Sequence, residues 1–339
     1  MDSTNHPTFP LLRLPENSRK NVLRNMEIMD IWSLSLCSKA TKALSKSINL
    51  KPKSCVVRLD GLVDSTVDSQ DFTIQLQVYP DRNAQKRPNR IKQKADYVIM
   101  TYTGNSSSES NVYRSRNFKT AGDWFCHFSS IFHISSVNRL ELVQFCYFIS
   151  VKETLKRMEI RNLWIYETIT ALHALKTLIP LFRARSILLA KNPFTSVFER
   201  RKFLVQNWLG LSLNNEFLIT IDDLLMTNCT YLISWWSEWP QEMINRWLKL
   251  WRSGSNRNLK YLVLAIIGTD PNVLLKGIKH QVVPESTVQI FDGNDMGDLR
   301  DRTEKVKGGF DIWRNDGVRA TVAIKDHLDH WRFRFCLWP

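Results

Sequence analysis

Asp326, His327, Asp329 and His330 form the densest titratable cluster in the chain. Two histidines three residues apart could grip a metal ion, because neutral imidazole is a common metal ligand. A closed site needs further His or Cys at ligand spacing, and none lies nearby. The cluster therefore reads as a solvent-facing turn before a final strand. Cys126-His127, with His133 close behind, holds the ingredients of a thiolate nucleophile. A thiol beside an imidazole attacks only when its pKa is depressed, and both histidines lie in or beside an aromatic-rich helical stretch. G-x-S-x-G, H-E-x-x-H, a P-loop and G-x-G-x-x-G are all missing from the sequence. The chain is expected to be non-catalytic, with no cofactor and no metal.

Charge sets the next boundary. Lys and Arg number 47 against 33 acidic residues, a formal net charge of +14. A basic surface can bind nucleic acid by releasing counterions, which is the alternative reading of the chain. The one dense cluster, Arg82–Lys94 (RNAQKRPNRIKQK), lies between two strand-like runs and reads as a solvated hairpin loop. No zinc-finger spacing and no RNA-recognition aromatic motif accompanies it, so nucleic acid is not the expected partner. The charge does favour partners with acidic surfaces.

The elements that position these residues follow from periodicity. With 339 residues, 43% hydrophobic composition and twelve Trp, about two globular domains are expected. No run approaches the ~20 apolar residues of a membrane span. MDSTNHPTF has no basic region ahead of an apolar one, so no secretory signal is expected. Six scattered Cys without C-x-x-C pairs then suggest reduced thiols in a cytoplasmic or nuclear protein. Residues 55–59, 72–79 and 96–102 read as antiparallel strands, and 104–110 (GNSSSES) as a polar loop. A helix is predicted from Thr120, with Asp123 completing a capping box. Its Trp124, Phe125, Phe128, Ile131 and Phe132 share one face and are assigned to core.

From about residue 137, strand-like segments recur at 139–143, 158–164, 186–190, 209–213, 231–235 and 259–264. Helical stretches are predicted between them at 168–182, 194–208 and 240–251. This spacing fits irregular leucine-rich-repeat-like units, each burying its apolar face on the next. Further strands are predicted at 288–291, 310–314, 318–324 and 331–338, with Asn315-Asp316-Gly317 as a tight turn. Residues 292–302 are expected to form a surface loop. Trp235 and Trp236 are candidate surface anchors, since Trp is enriched in binding hot spots.

The first fifty residues are the most informative. Apolar side chains fall at helical spacing in three sets: Val22, Leu23 and Met26; Ile28, Ile31, Leu34, Leu36 and Cys37; Ala40, Ala43, Leu44 and Ile48. Pro15 can open the first helix. So small a unit cannot hide all of them, and the surplus requires another surface.

Leu14-Pro15, Val22-Leu23, Asp30, Leu34-Ser35-Leu36 and Ser38-Lys39 stand where F-box motifs carry LP, a hydrophobic pair, a D, an apolar helix and S-K/R. Residues 219–264 are similar to the second type of F-box-associated domain found in nematode-expanded F-box families. The matching positions are Asn245, Arg246, Leu248, Lys249, Trp251, Gly254, Ser255, Asn256, Leu259 and Leu262, with Trp247 in place of the usual Phe. The resemblance implies a substrate receptor of a Skp–Cullin–F-box ubiquitin ligase. Its F-box would bind a Skp-type adaptor, and through it a cullin, by way of Leu14, Pro15, Leu23, Ile28, Ile31, Leu34, Leu36 and Cys37. The body would hold a protein substrate that the sequence does not identify. Trp32 and the polar run Asn17 to Asn21 depart from the motif. A repeat scaffold acting outside a ligase is a further alternative. The expected fold is α/β: a three-helix F-box (1–52), a β-rich segment with the aromatic helix (53–136), and an αβ-repeat-like body with C-terminal strands (137–339).

Overall fold

A computed structural model describes residues 10–80, 95–143, 148–166, 169, 178–214, 217–292, 303–327 and 330–338. The chain is a mixed α/β protein divided into two compact units, residues 1–137 with 146–158, and residues 138–145 with 159–339. The basic run at 82–94 lies outside the described residues, as do Asp329, most of the stretch predicted helical at 168–182, and nearly all of the loop expected at 292–302.

In the first unit a 3-10 turn at Leu11–Arg13 leads into α1 (Glu16–Arg24), α2 (Ile28–Cys37) and α3 (Lys39–Lys46). An antiparallel meander follows, β1 (Ser54–Leu59), β2 (Val63–Asp68), β3 (Phe72–Pro80), β4 (Ala95–Gly104) and β5 (Ser108–Tyr113), paired in sequence order. Alternation sends Cys55, Val57, Leu59, Ile74, Leu76, Val78, Val98 and Met100 into the core. α4 (Ala121–Ile131) packs on β3 and α5 (Phe148–Leu155) packs on α4. The α4 start is capped as its sequence predicts: Thr120 Oγ1 accepts from the Asp123 N–H at 3.2 Å, and Asp123 Oδ2 accepts from the Thr120 N–H at 2.9 Å. The polar stretch expected as a loop at 104–110 is different. Only a short turn remains, because Ser108 to Tyr113 pairs with β4 as a largely exposed edge strand in which Asn111 and Tyr113 are half-buried.

The second unit opens with β6 (Ser136–Leu142) and continues through β7 (Glu159–Ile165), α6 (Ile179–Phe182), β8 (Ser186–Leu189), α7 (Val197–Leu204) and β9 (Trp208–Leu213). It proceeds through α8 (Ile221–Met226), β10 (Cys229–Pro240), α9 (Gln241–Arg252), β11 (Tyr261–Ile267) and α10 (Pro271–Leu274). Strands β6 to β11 are neighbours in chain order, with parallel pairing from β7 to β11 and helices interleaved. Parallel strands covered on both faces read as continuous apolar runs, and Tyr261 to Ile266 are all buried. The run predicted as one helix at 194–208 ends earlier, because Trp208 joins β9 and is buried there.

Four antiparallel strands complete the sheet: β12 (His280–Asp292), β13 (Thr303–Trp313), β14 (Arg319–His327) and β15 (His330–Leu337), in the order β12-β13-β14-β15-β11. One face of β15 meets α9, where Trp247 and Trp251 contact the Phe335 ring edge-on at 5.3 and 4.9 Å. The opposite face carries a second core of Tyr231, Ile233, Tyr261, Val263, Phe291, Val306, Cys336 and Trp338. Cys336 is therefore buried, although simple alternation marks it for solvent. The β12–β13 hairpin reaches this second core by bending. Its register shifts between Val283 and Val288, opposite Gly308-Gly309. Both glycines have positive φ (62° and 117°), and a Cβ on Gly309 would meet the Val322 carbonyl oxygen at 2.5 Å. Beyond the bend, Phe291 and Val306 lie over Tyr261 and Tyr231.

Candidate docking site

The three N-terminal helices are held by local chemistry. Pro15 (φ −53°, ψ 151°) caps α1 and stands just outside it, one position earlier than a proline that opens a helix from within. Ser38 and Thr41 form a reciprocal cap on α3. Ser45 Oγ donates to the Ile31 carbonyl at 3.1 Å, tying α3 to α2.

Within this module the apolar side chains divide into two sets. Leu23, Met29, Ile31 and Trp32 are buried. Leu14, Ile28, Leu34 and Leu36 stay partly open, and Pro15 and Cys37 are exposed. Leu12, just ahead of them, is 48% exposed. Two members of the expected docking set, Leu23 and Ile31, fall in the buried group. Both lie in the interior of the unit. Their helical spacing reports a core face and not an outer one.

Trp32 carries the seat of the module. Its fully buried indole stacks on Trp124 and Phe132 at 6.5 and 6.3 Å, and meets Tyr113, His127 and Phe128 edge-on at 6.3, 5.2 and 5.9 Å. Polar bonds frame the rings: Ser35 Oγ lies 2.8 Å from His127 Nε2, Ser33 Oγ lies 3.1 Å from Tyr113 Oη, and His133 Nε2 lies 2.8 Å from the Lys46 carbonyl oxygen. The surplus apolar surface of the helices is thus half absorbed by α4. The aromatic stripe of α4 was legible as core; that its partner would be Trp32 had no signal in the sequence.

Ser35 and His127 resemble a nucleophile–base pair, but the geometry denies that chemistry. The Ser35 hydroxyl donates to the Trp32 carbonyl at 2.6 Å, so Nε2–H of His127 donates to Ser35 and Nδ1 is left bare. Both residues are about 2% exposed. Burial, with Lys42 adding repulsion, pushes the His127 pKa down to about 4. Cys126 is exposed on the other side of α4. Burial raises the Cys55 thiol to about 12 and raises Cys229 as well, so neither forms a thiolate near neutral pH. No group of three or more potential metal ligands gathers among the described residues. Asp329 and the side chains of Asp326, His327 and His330 lie outside them.

Polar anchors organise the middle of the second unit. Asp223 is fully buried at the start of α8, capped by Thr220, with Arg200 Nη2 at 2.8 Å and Arg201 Nε at 3.6 Å. Asn256 adopts φ 48°. Its amide donates to the carbonyls of Leu224, Thr227 and Leu225 at 2.9, 3.1 and 3.4 Å, while its oxygen accepts from Trp247 Nε1 at 3.0 Å. Asn245 Nδ2 donates to the carbonyls of Leu274 and Lys276. These asparagines are braces of the fold. Met243 of α9 is 36% exposed. Arg246 is exposed. The side chains of Trp235 and Trp236 lie outside those described, at the register shift in β10.

Residues 11–53 match the F-box domain, and residues 199–264 match the F-box associated family. No curated protein and no solved structure matches the chain. The first match covers α1 to α3; the second takes in Asp223, Asn245, Asn256 and the aromatic face of α9. The chain carries an F-box domain and, C-terminal to it, an F-box associated domain.

Proposed function

We propose that the protein is a substrate-recognition subunit of a Skp–Cullin–F-box ubiquitin ligase. The observation that carries this reading is an F-box domain whose Leu14, Pro15, Ile28, Leu34, Leu36 and Cys37 remain open or half-open after the rest of the unit has packed. In this reading the open residues dock onto a Skp-type adaptor, and through it a cullin. Leu23 and Ile31 shape the docking face from beneath. Residues 1–52 form the adaptor end, 53–136 seat it, and 137–339 hold the target. The parallel αβ run is read as irregular leucine-rich-repeat-like units, an architecture suited to presenting one extended binding face. The protein performs no chemistry itself. It raises the effective concentration of a substrate lysine at a conjugating enzyme held elsewhere in the assembly. It would act in the cytoplasm or nucleus.

Leu14→Ala combined with Pro15→Ala tests the adaptor contact. Both side chains lie at the open edge, so the fold should persist while adaptor capture drops. Loss of two apolar contacts, at roughly 1.5–3 kcal/mol for a fully buried leucine, predicts at least a tenfold loss. Undiminished co-purification of a Skp adaptor with the double variant would count against the reading.

A further inference from the structure

Among the described residues, the sheet of the second unit carries an apolar surface that the packing of that unit leaves open. Val282 pairs with Phe310, and Phe310 with Val322. Ile324 lies two residues beyond Val322 and pairs with Phe333, while Trp331 lies two residues before Phe333. Side chains alternate along a strand, so Val282, Phe310, Ile324 and Trp331 share one face. It is the face that Trp247 of α9 covers further along, at Phe333 and Phe335. At this end the helical layer stops with α10. Val282 is 64% exposed and Trp331 is 44% exposed.

Two adjoining hollows, of about 730 and about 720 Å³, occupy this place and share Pro271, Val282 and Phe310. Lys276, Lys279, Lys307 and Lys325 line them, against Glu285 as the one carboxylate among the described lining residues. An apolar floor with a predominantly basic rim selects a ligand that is apolar and acidic. Aliphatic side chains (Pro271, Leu275, Ile278, Val282 and Ile324) outnumber the aromatic Phe310 and Trp331 in the lining, which favours an apolar protein side chain over stacked bases as the occupant.

We infer that these hollows dock a short acidic protein segment carrying an aliphatic or aromatic anchor, which would be the recognised feature of the ligase target. The anchor rests between Val282, Phe310 and Trp331, and its carboxylates face Lys276 and Lys307. This deepens the substrate-receptor reading and relies on it only in identifying the occupant as a target.

The test uses the full chain and a short labelled peptide of alternating glutamate and leucine, with fluorescence anisotropy as readout. The glutamate–leucine peptide should bind, and added salt should weaken it. Trp331→Ala, and separately Lys276→Glu with Lys307→Glu, should each weaken it about tenfold or more, the size of a hot-spot loss. All three positions are exposed or half-exposed, and circular dichroism on the variants checks that the fold persists. Three results would overturn the inference: no binding, equal binding of a lysine–leucine peptide, or peptide affinity unchanged in both variants. A homopolymeric single-stranded RNA that binds more tightly than the peptide, and loses affinity in the same variants, would overturn it in favour of nucleic acid. Adaptor co-purification is measured on the same variants. Its loss in wild type would sink the receptor reading while leaving peptide docking to stand or fall alone.

Discussion

Replacing Trp32 by alanine removes an indole that is wholly enclosed by the rings of Tyr113, Trp124, His127, Phe128 and Phe132. Deleting a buried aromatic side chain costs about 3–5 kcal/mol, through lost transfer energy plus the cavity left behind. Two features fix where in that range the value should fall. The five ring contacts favour the upper half, since each aromatic pair adds about 0.5–1.5 kcal/mol beyond area, though not additively. Against this, Trp32 Nε1 has no hydrogen-bond partner among the described residues, so no bond is lost and a desolvated donor is removed. A cost of about 4 kcal/mol is expected. Trp32→Phe keeps one ring and also removes the donor, so it should cost less than about 2 kcal/mol. Hydrogen exchange of the α2 and α4 amides, measured against urea on the intact chain, isolates this unit from the second one. A Trp32→Ala cost below about 1 kcal/mol, or a Phe variant as damaged as the Ala one, would refute the claim that this residue joins the F-box to its seat.

Three further outcomes are expected. His127 is held neutral with its pKa lowered to about 4, from an ordinary value of 6.5. The unfolded chain therefore binds more protons between those values, and stability is complete above about pH 6.5 and falls as pH drops towards 4, by roughly 3 kcal/mol at most. His127→Gln should flatten that slope in the same exchange measurement, and an unchanged slope would show that another group is responsible. Asp223→Ala strips the counter-charge from Arg200 and the cap from α8, and should cost about 3–5 kcal/mol in thermal unfolding of the second unit; a cost within about 0.5 kcal/mol would contradict the buried pairing. Asn256→Gly keeps the left-handed backbone but drops the carbonyl bonds, so it should destabilise by about 1–3 kcal/mol. Asn256→Ala adds strain and should be worse, and equal unfolding midpoints for the two would deny the strain.

Periodicity made much of this architecture legible. The three N-terminal helices, the capped α4 and the parallel αβ run follow from spacing alone, because each buries one regular face. What stayed hidden depended on partners distant in sequence. β2 has only Val63, Thr66 and Val67 as strand signals, and β5 is polar up to Val112 and Tyr113; both are strands because β3 and β4 offer them an edge. Leu23 and Ile31 carry the same helical spacing whether they face a partner or the interior, and only the packed unit distinguishes the two. The bend at Gly308-Gly309 likewise becomes meaningful only when Phe291 is seen over Tyr261.

The ring cage around Trp32 bears on how a ligase could use this chain. A docking head hung from a loose tether would let its cargo sample a wide volume, diluting each lysine near the transfer site. Here the head is clamped through α2 to α4, so anything gripping the open edge of α1 and α2 inherits a fixed bearing on residues 54–80 and 95–131.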